Sequence, residues 1–158
     1  MKTLLKTILV GAVLAAAGVT TAAAAVGAVV GTWTLNVAKS TSDSGQVPKS
    51  QTRTYTEDKD GTSLTVSGVA ADGSAISQQS TFKSDGKAYP MTGSPDFDAL
   101  SLKRVNGSTT TSTLTKAGKK VGTTTRTISG HGKTLTLTTK VTGADGKPHS
   151  IVLVFDKQ

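Results

Sequence analysis

Two-residue turn signals recur along this chain at nearly even spacing, and that rhythm limits the folds open to it. Asp60-Gly61, Asp72-Gly73, Asp85-Gly86, Asn106-Gly107, Ala117-Gly118, Gly130-His131-Gly132 and Asp145-Gly146 punctuate it. Type I′ hairpin turns need positive φ at both central residues, which Asp-Gly and Asn-Gly supply most readily. The usual gap, about a dozen residues, leaves strands of about eight or nine, the rhythm of an all-β domain. The one double-length gap, from Gly86 to Asn106, contains Tyr89-Pro90, Gly93 and Ser94-Pro95. Proline cannot donate to a ladder, so this gap is predicted to hold a short strand, an irregular loop and a second strand.

Alternation between the turns agrees. Trp33, Leu35 and Val37 share one face of a first strand, and Leu64 with Val66, Leu100 with Leu102, Leu135 with Leu137, and Ile151, Leu153 and Phe155 repeat the pattern. Period two bounded by Gly and Asp is the mark of a half-buried strand. No stretch after Ala25 carries a helical apolar stripe, although a short helical turn fits around Asp96 to Ala99. Successive hairpins make an antiparallel up-and-down meander, and about 8–10 strands leave edges that closure into a barrel removes. The alternative is a β-sandwich, whose Greek-key returns need longer connections than most of these turns provide.

The N-terminus reads as a processing segment. Lys2 and Lys6 precede an apolar run from Leu4 to Ala17, and small residues lead into Ala22-Ala23-Ala24-Ala25. That order predicts a secretory signal peptide over 1–25, cleaved after Ala23, Ala24 or Ala25, and a single domain over 26–158. An uncleaved anchor is the competing reading, because the apolar stretch to Ala25 is nearly long enough to span a bilayer. Cysteine is absent, so stability must come from burial and sheet pairing alone. Loss of Lys2 and Lys6 takes the formal net charge from +8 to +6. The excess favours solubility and attracts polyanions. Export and the lack of aromatics interleaved with basic residues argue against nucleic acid.

The segment Gly31-Thr32-Trp33-Thr34-Leu35-Asn36 resembles the Gly-x-Trp opening strand of lipocalin and fatty-acid-binding (calycin) barrels. Further features are Ala38-Lys39-Ser40, Tyr89-Pro90-x-Thr92-Gly93, Ser101-Leu102-Lys103-Arg104-Val105, Gly132-Lys133-Thr134-Leu135-Thr136 and Phe155-Asp156-Lys157-Gln158. Together they make the mature chain similar to exported bacterial lipocalin-like β-barrel proteins. The resemblance implies that Trp33 closes the bottom of the barrel under a cation from a late strand, Arg126 or Arg104, a contact worth about 1 kcal/mol. The usual arginine just beyond the last strand is missing. So are the paired basic and tyrosine residues with which fatty-acid-binding proteins hold a carboxylate.

Catalytic and metal-binding patterns are weak. Asp60, Asp72, Asp85 and Asp145 each precede Gly, where the side chain caps its own turn. Glu57 is the only glutamate, which makes a paired acid/base dyad hard to assemble. Glu57-Asp58-x-Asp60 and Asp96-x-Asp98 lack the spacing of a calcium loop, and no cofactor is expected. Thr fills most positions from Ser108 to Ser129. Such strands either line a polar lumen with hydroxyls or use Thr as a plain β-former on a solvated sheet.

A barrel of this size has room for one small ligand where side chains leave space. The first expectation is therefore a secreted or periplasmic, monomeric, non-catalytic binding protein for a small apolar or amphipathic molecule. Tyr55, Phe82, Tyr89, Met91, Phe97, Leu102 and Arg104 are its ligand-facing candidates, with Arg104 as polar anchor. The second is an envelope or matrix protein that holds an anionic polymer on a basic surface of Lys103, Lys116, Lys119, Lys120 and Arg126. A third, an enzyme of unfamiliar type, would have to rely on His131 and His149.

Overall fold

Strands form between these turns because β-branched and large apolar side chains pack on a pleated surface with one face covered. A computed structural model of the chain describes residues 28–129, 131–142 and 146–158; the expected leader lies outside the described residues. In chain order the strands are β1 (Gly31–Leu35), β2 (Thr41–Ser42), β3 (Ser50–Asp58), β4 (Gly61–Val69), β5 (Ala75–Phe82) and β6 (Asp85–Pro90). They continue with β7 (Ala99–Arg104), β8 (Thr109–Lys116), β9 (Lys119–Ser129), β10 (Thr134–Thr142) and β11 (Pro148–Lys157). A three-residue 3-10 helix, Val37–Lys39, follows β1, with the Asn36 side chain accepting from the Lys39 N–H. It is too short to leave a periodic signal in the sequence.

All strands join one antiparallel sheet of order β5-β4-β3-β1-β11-β10-β9-β8-β7-β6, with β2 attached to β11. The first and last strands pair in the middle of that path, Leu35 opposite Phe155. Its two ends meet at Gln79 and Thr92, whose backbones exchange hydrogen bonds of 3.2 and 2.9 Å. Ser80 Oγ donates to the Pro90 carbonyl nearby at 2.7 Å. The ribbon is thus nearly closed into an all-β barrel, and not stacked as a sandwich.

The predicted turn at Asp85-Gly86 is different. Gly86 has φ +78° and the β6–β7 register slips between Asp85 and Ala88, so the pair makes a bulge inside β6. β5 and β6 consequently form no hairpin ladder, and Pro90 has no N–H to offer β5. The Asp72 carboxylate does cap its turn, accepting the N–H of Ser74 at 2.8 Å, and the Asp85 carboxylate accepts the N–H of Lys87 within the bulge at 3.0 Å. At the Asp60 turn the acceptor is Asp58 instead, at 2.8 Å from the Asp60 N–H.

One end of the barrel is packed solid. Leu35, Phe155, Leu135 and Ile128 face one another across four strands, and Trp33 below them is fully buried with its Nε1 donating to the Val29 carbonyl at 2.7 Å. The cation over Trp33 is Lys157, whose Nζ lies 5.1 Å from the ring centroid. This corrects the expected Arg126 or Arg104. Trp33 and Lys157 are register partners on β1 and β11, whereas Arg126 belongs to the row of Leu137 and Leu153, beyond the Phe155 row.

The threonines divide by face. Thr110, Ser112 and Leu114 of β8 are buried, so Thr109, Thr111, Thr113 and Thr115 face outward. On that outer face Thr109, Thr111 and Thr113 stand opposite Thr127, Thr125 and Thr123 of β9, as cross-strand pairs that stabilise a sheet exposed on one side. Most of this Thr-rich stretch therefore serves the outer surface and only a few hydroxyls enter the barrel.

Closure of the seam depends on Gly93. Its φ is +78°, and a Cβ there would run into the Ser77 carbonyl oxygen of β5. Gly93→Ala should therefore destabilise the fold by about 2 kcal/mol or more, read as a lower urea midpoint. An unchanged midpoint would show that β5 and the segment after β6 do not need this close approach.

Candidate functional site

Three successive inward positions of β3 are polar: Gln51, Arg53 and Tyr55. Gln51 and Tyr55 are buried, and Arg53 is half-buried between them. Arg53 donates through Nη1 to Gln51 Oε1 at 3.0 Å and through Nε to the Tyr55 hydroxyl at 3.3 Å. Across the lumen Arg126 of β9, only 7% exposed, sets its guanidinium 5.5 Å from the centroid of the Tyr55 ring. The Arg53 guanidinium also lies 5.7 Å from the centroid of Phe155. Among the described residues no carboxylate forms an ion pair with either arginine.

A buried guanidinium, Arg126, and a half-buried one, Arg53, flank the phenol and act on one another. Burial pulls the Arg126 guanidinium below its usual range, an effect that Tyr55 partly offsets and Arg53 reinforces. Burial works to raise the Tyr55 phenol, yet the charges of Arg53 and Arg126 and their hydrogen bonds outweigh it, and the net displacement is downward. The arrangement has the chemistry of an anion receptor: fixed guanidinium donors in a region of low polarizability, with charge to spare.

The space beside these groups is a cavity of about 70 Å³. Its polar side is Arg53, Tyr55, Ser112, Thr124 and Arg126, and its apolar side is Leu64, Phe82, Met91, Phe97, Leu100, Leu102, Leu114 and Leu137. It is far smaller than the ~300–1,000 Å³ of sites for drug-sized ligands. The room for one small ligand expected where side chains leave space is thus limited to this small cavity. Met91 and Phe97 bracket the segment that crosses from β6 to β7. That segment is tied to β8 by the Asp98 carboxylate, which accepts the Ala117 N–H at 2.8 Å, and by Lys116 Nζ donating to the Pro95 carbonyl.

Thr110 adds a polar atom with no partner. It is 2% exposed, and its Oγ1 makes no hydrogen bond. By register it stands between Arg104 of β7 and Arg126 of β9, on the same face as both.

Of the seven ligand-facing candidates, Tyr55, Phe82, Met91, Phe97 and Leu102 line this cavity. Tyr89 does not: it is half-buried and donates its hydroxyl to Asp85 Oδ2 at 2.9 Å. Arg104 is half-buried one row from Leu102 and is not among the lining residues. The arginines that do line the cavity are Arg53 and Arg126. Arg126 therefore also drops out of the basic outer surface, which retains the exposed Lys103, Lys116, Lys119 and Lys120. β3 and β9 bring Arg53, Tyr55 and Arg126 together inside the barrel, a grouping that the sequence reading did not single out. Only the two-residue spacing of Arg53 and Tyr55 could have flagged two side chains on one face.

The remaining candidates lie elsewhere. His131 is exposed in the β9–β10 turn at φ +56°, and His149 Nδ1 lies 3.8 Å from Asp43 Oδ1 near the surface. Among the described residues no three His, Asp or Glu side chains gather as a metal site.

No family model and no curated protein matches the chain. Among solved structures it is similar to a redesigned beta barrel, mFAP1, bound to DFHBI, at 14% identity and a TM-score of 0.48, covering 85% of this chain and 99% of that one. It is also similar to the zebrafish ileal bile acid-binding protein complexed with cholic acid, at 16% identity and a TM-score of 0.49, covering 83% and 99%.

A buried hydroxyl without a partner is a liability in the empty protein. Thr110→Val should raise the unfolding free energy by about 1 kcal/mol, measured by urea denaturation without added ligand. A loss of stability would mean that the hydroxyl has a bonding partner inside the barrel.

Proposed function

We propose that the protein is an exported, non-catalytic binding protein that takes the anionic end of a small amphipathic molecule into its barrel. The carboxylate or similar head sits between Arg53, Tyr55 and Arg126, and the adjoining apolar carbons rest on Phe82, Leu100, Leu102 and Leu114. The observation that carries this reading is the pair of interior guanidiniums with no ion-paired carboxylate among the described residues. Burying a charge is costly unless something compensates it, and a guest anion would supply that compensation. The cavity has space for the head group alone, so a longer tail needs the Met91–Asp98 segment to swing off the mouth. Export rests on the N-terminal leader pattern, and the protein is proposed to act outside the cytoplasm as a monomer without cofactor.

Calorimetry with propionate, octanoate and the alcohols of equal length tests the head-group preference. The carboxylates should bind and the alcohols should not. Arg126→Met should weaken carboxylate binding about 10- to 100-fold, the loss expected of a charged hydrogen bond. Below the pH at which Tyr55 ionises, the same substitution should stabilise the empty protein by about 1–4 kcal/mol, because it removes a buried charge that has no ion-paired carboxylate among the described residues. Equal binding of acids and alcohols, or a variant that loses stability while keeping affinity, would contradict the proposal.

A further inference from the structure

Tyr55 sits between Arg53 and Arg126, neither of which is ion-paired to a carboxylate among the described residues. Its own strand presents Arg53, whose Nε lies 3.3 Å from the hydroxyl, and β9 presents Arg126 over its ring. β4 offers Leu64, its register partner, and β1 offers Gly31 and Trp33. Of these neighbours only the two arginines carry charge. The phenol is therefore the one group at this site able to supply a negative charge from within the protein.

We propose that Tyr55 is the internal counter-charge of the empty barrel, releasing its proton to solvent as a phenolate beside Arg53 and Arg126 and recovering a proton when a guest anion takes its place. The inference rests on the anion-binding reading above and adds its regulation: where Tyr55 is ionised, one monoanion and one proton are taken up together. The direction follows from linkage. Phenolate and guest compete for the same two cations, so bound anion favours protonated Tyr55, and alkaline conditions favour release. The same geometry holds the Tyr55 phenol below its ordinary value of 10.0 despite complete burial. Because its folded-state value is the lower one, ionisation of Tyr55 favours the folded state increasingly as pH climbs from that value toward 10.0.

The chain has two tyrosines, which makes this readable by tyrosinate absorbance in the near ultraviolet. Tyr89 donates to Asp85, and desolvation together with that bond holds it above 10.0. Tyr89→Phe leaves Tyr55 as the single tyrosine, and Tyr55→Phe identifies its transition in the otherwise intact protein. The free Tyr89→Phe protein should ionise with a midpoint below 10.0, and saturating octanoate should move that midpoint upward. Above the free midpoint, octanoate affinity should fall about tenfold per pH unit, a dependence that Tyr55→Phe abolishes. A free midpoint at or above 10.0, or bound octanoate with an unmoved midpoint, overturns the coupling alone. Failure of octanoate to bind at any pH overturns the binding reading and the coupling with it.

Discussion

The guanidiniums of Arg53 and Arg126 lie inside a small barrel against one phenol, with no carboxylate among the described residues ion-paired to them. In a region of low polarizability a lone charge costs several kcal/mol, and the usual remedy, a carboxylate brought in by the fold, is missing. Aromatic faces and a glutamine amide oxygen solvate the arginines in part. Tyr55 receives Arg126 on its ring and Arg53 at its hydroxyl, and Gln51 accepts from Arg53. Such contacts are worth about 1–2 kcal/mol each, and no ion-paired carboxylate among the described residues adds to them.

The barrel keeps these groups in place by dividing its length. At one end Trp33, Leu35, Phe155 and Leu135 are buried, with Lys157 over the indole and Arg53 as register partner of Trp33. Above them the wall is apolar, and Met91 and Phe97 come from a segment pinned to β8 by Asp98 and Lys116. The seam between β5 and β6 is the weakest line of the closure, a single bridge at Gln79 and Thr92 with Ser80 and Pro90 beside it. The cavity that remains between these walls is small, about 70 Å³.

Much of the fold was legible because period-two alternation and Asp-Gly turns are local signals. Trp33 and Leu35, Leu64 and Val66, and Leu135 and Leu137 all face the core. The Asp85-Gly86 signal misled because the same positive φ that makes a hairpin turn also makes a bulge, and pairing partners decide between them. The site was half legible. Its apolar members stood out as large residues in a chain poor in them, but Arg53 and Arg126 did not, since polar residues at inward positions erase the alternation that marks a strand's buried face. Arg126 in particular lies within a run of threonines whose two faces cannot be told apart until Ile128 is seen to pack on Leu135. The aromatic that Tyr89-Pro90 seemed to offer the mouth is instead held by Asp85 within β6.

The central claim is that a guest anion completes the charge of the interior. The most direct measurement is a crystal structure of the protein grown with 3-bromopropionate, read by the anomalous signal of bromine. The account predicts a bromine site inside the barrel against Phe82 and Leu102, with the carboxylate between the guanidiniums of Arg53 and Arg126. A barrel that stays empty, or one in which Arg126 has turned out to solvent, would contradict it.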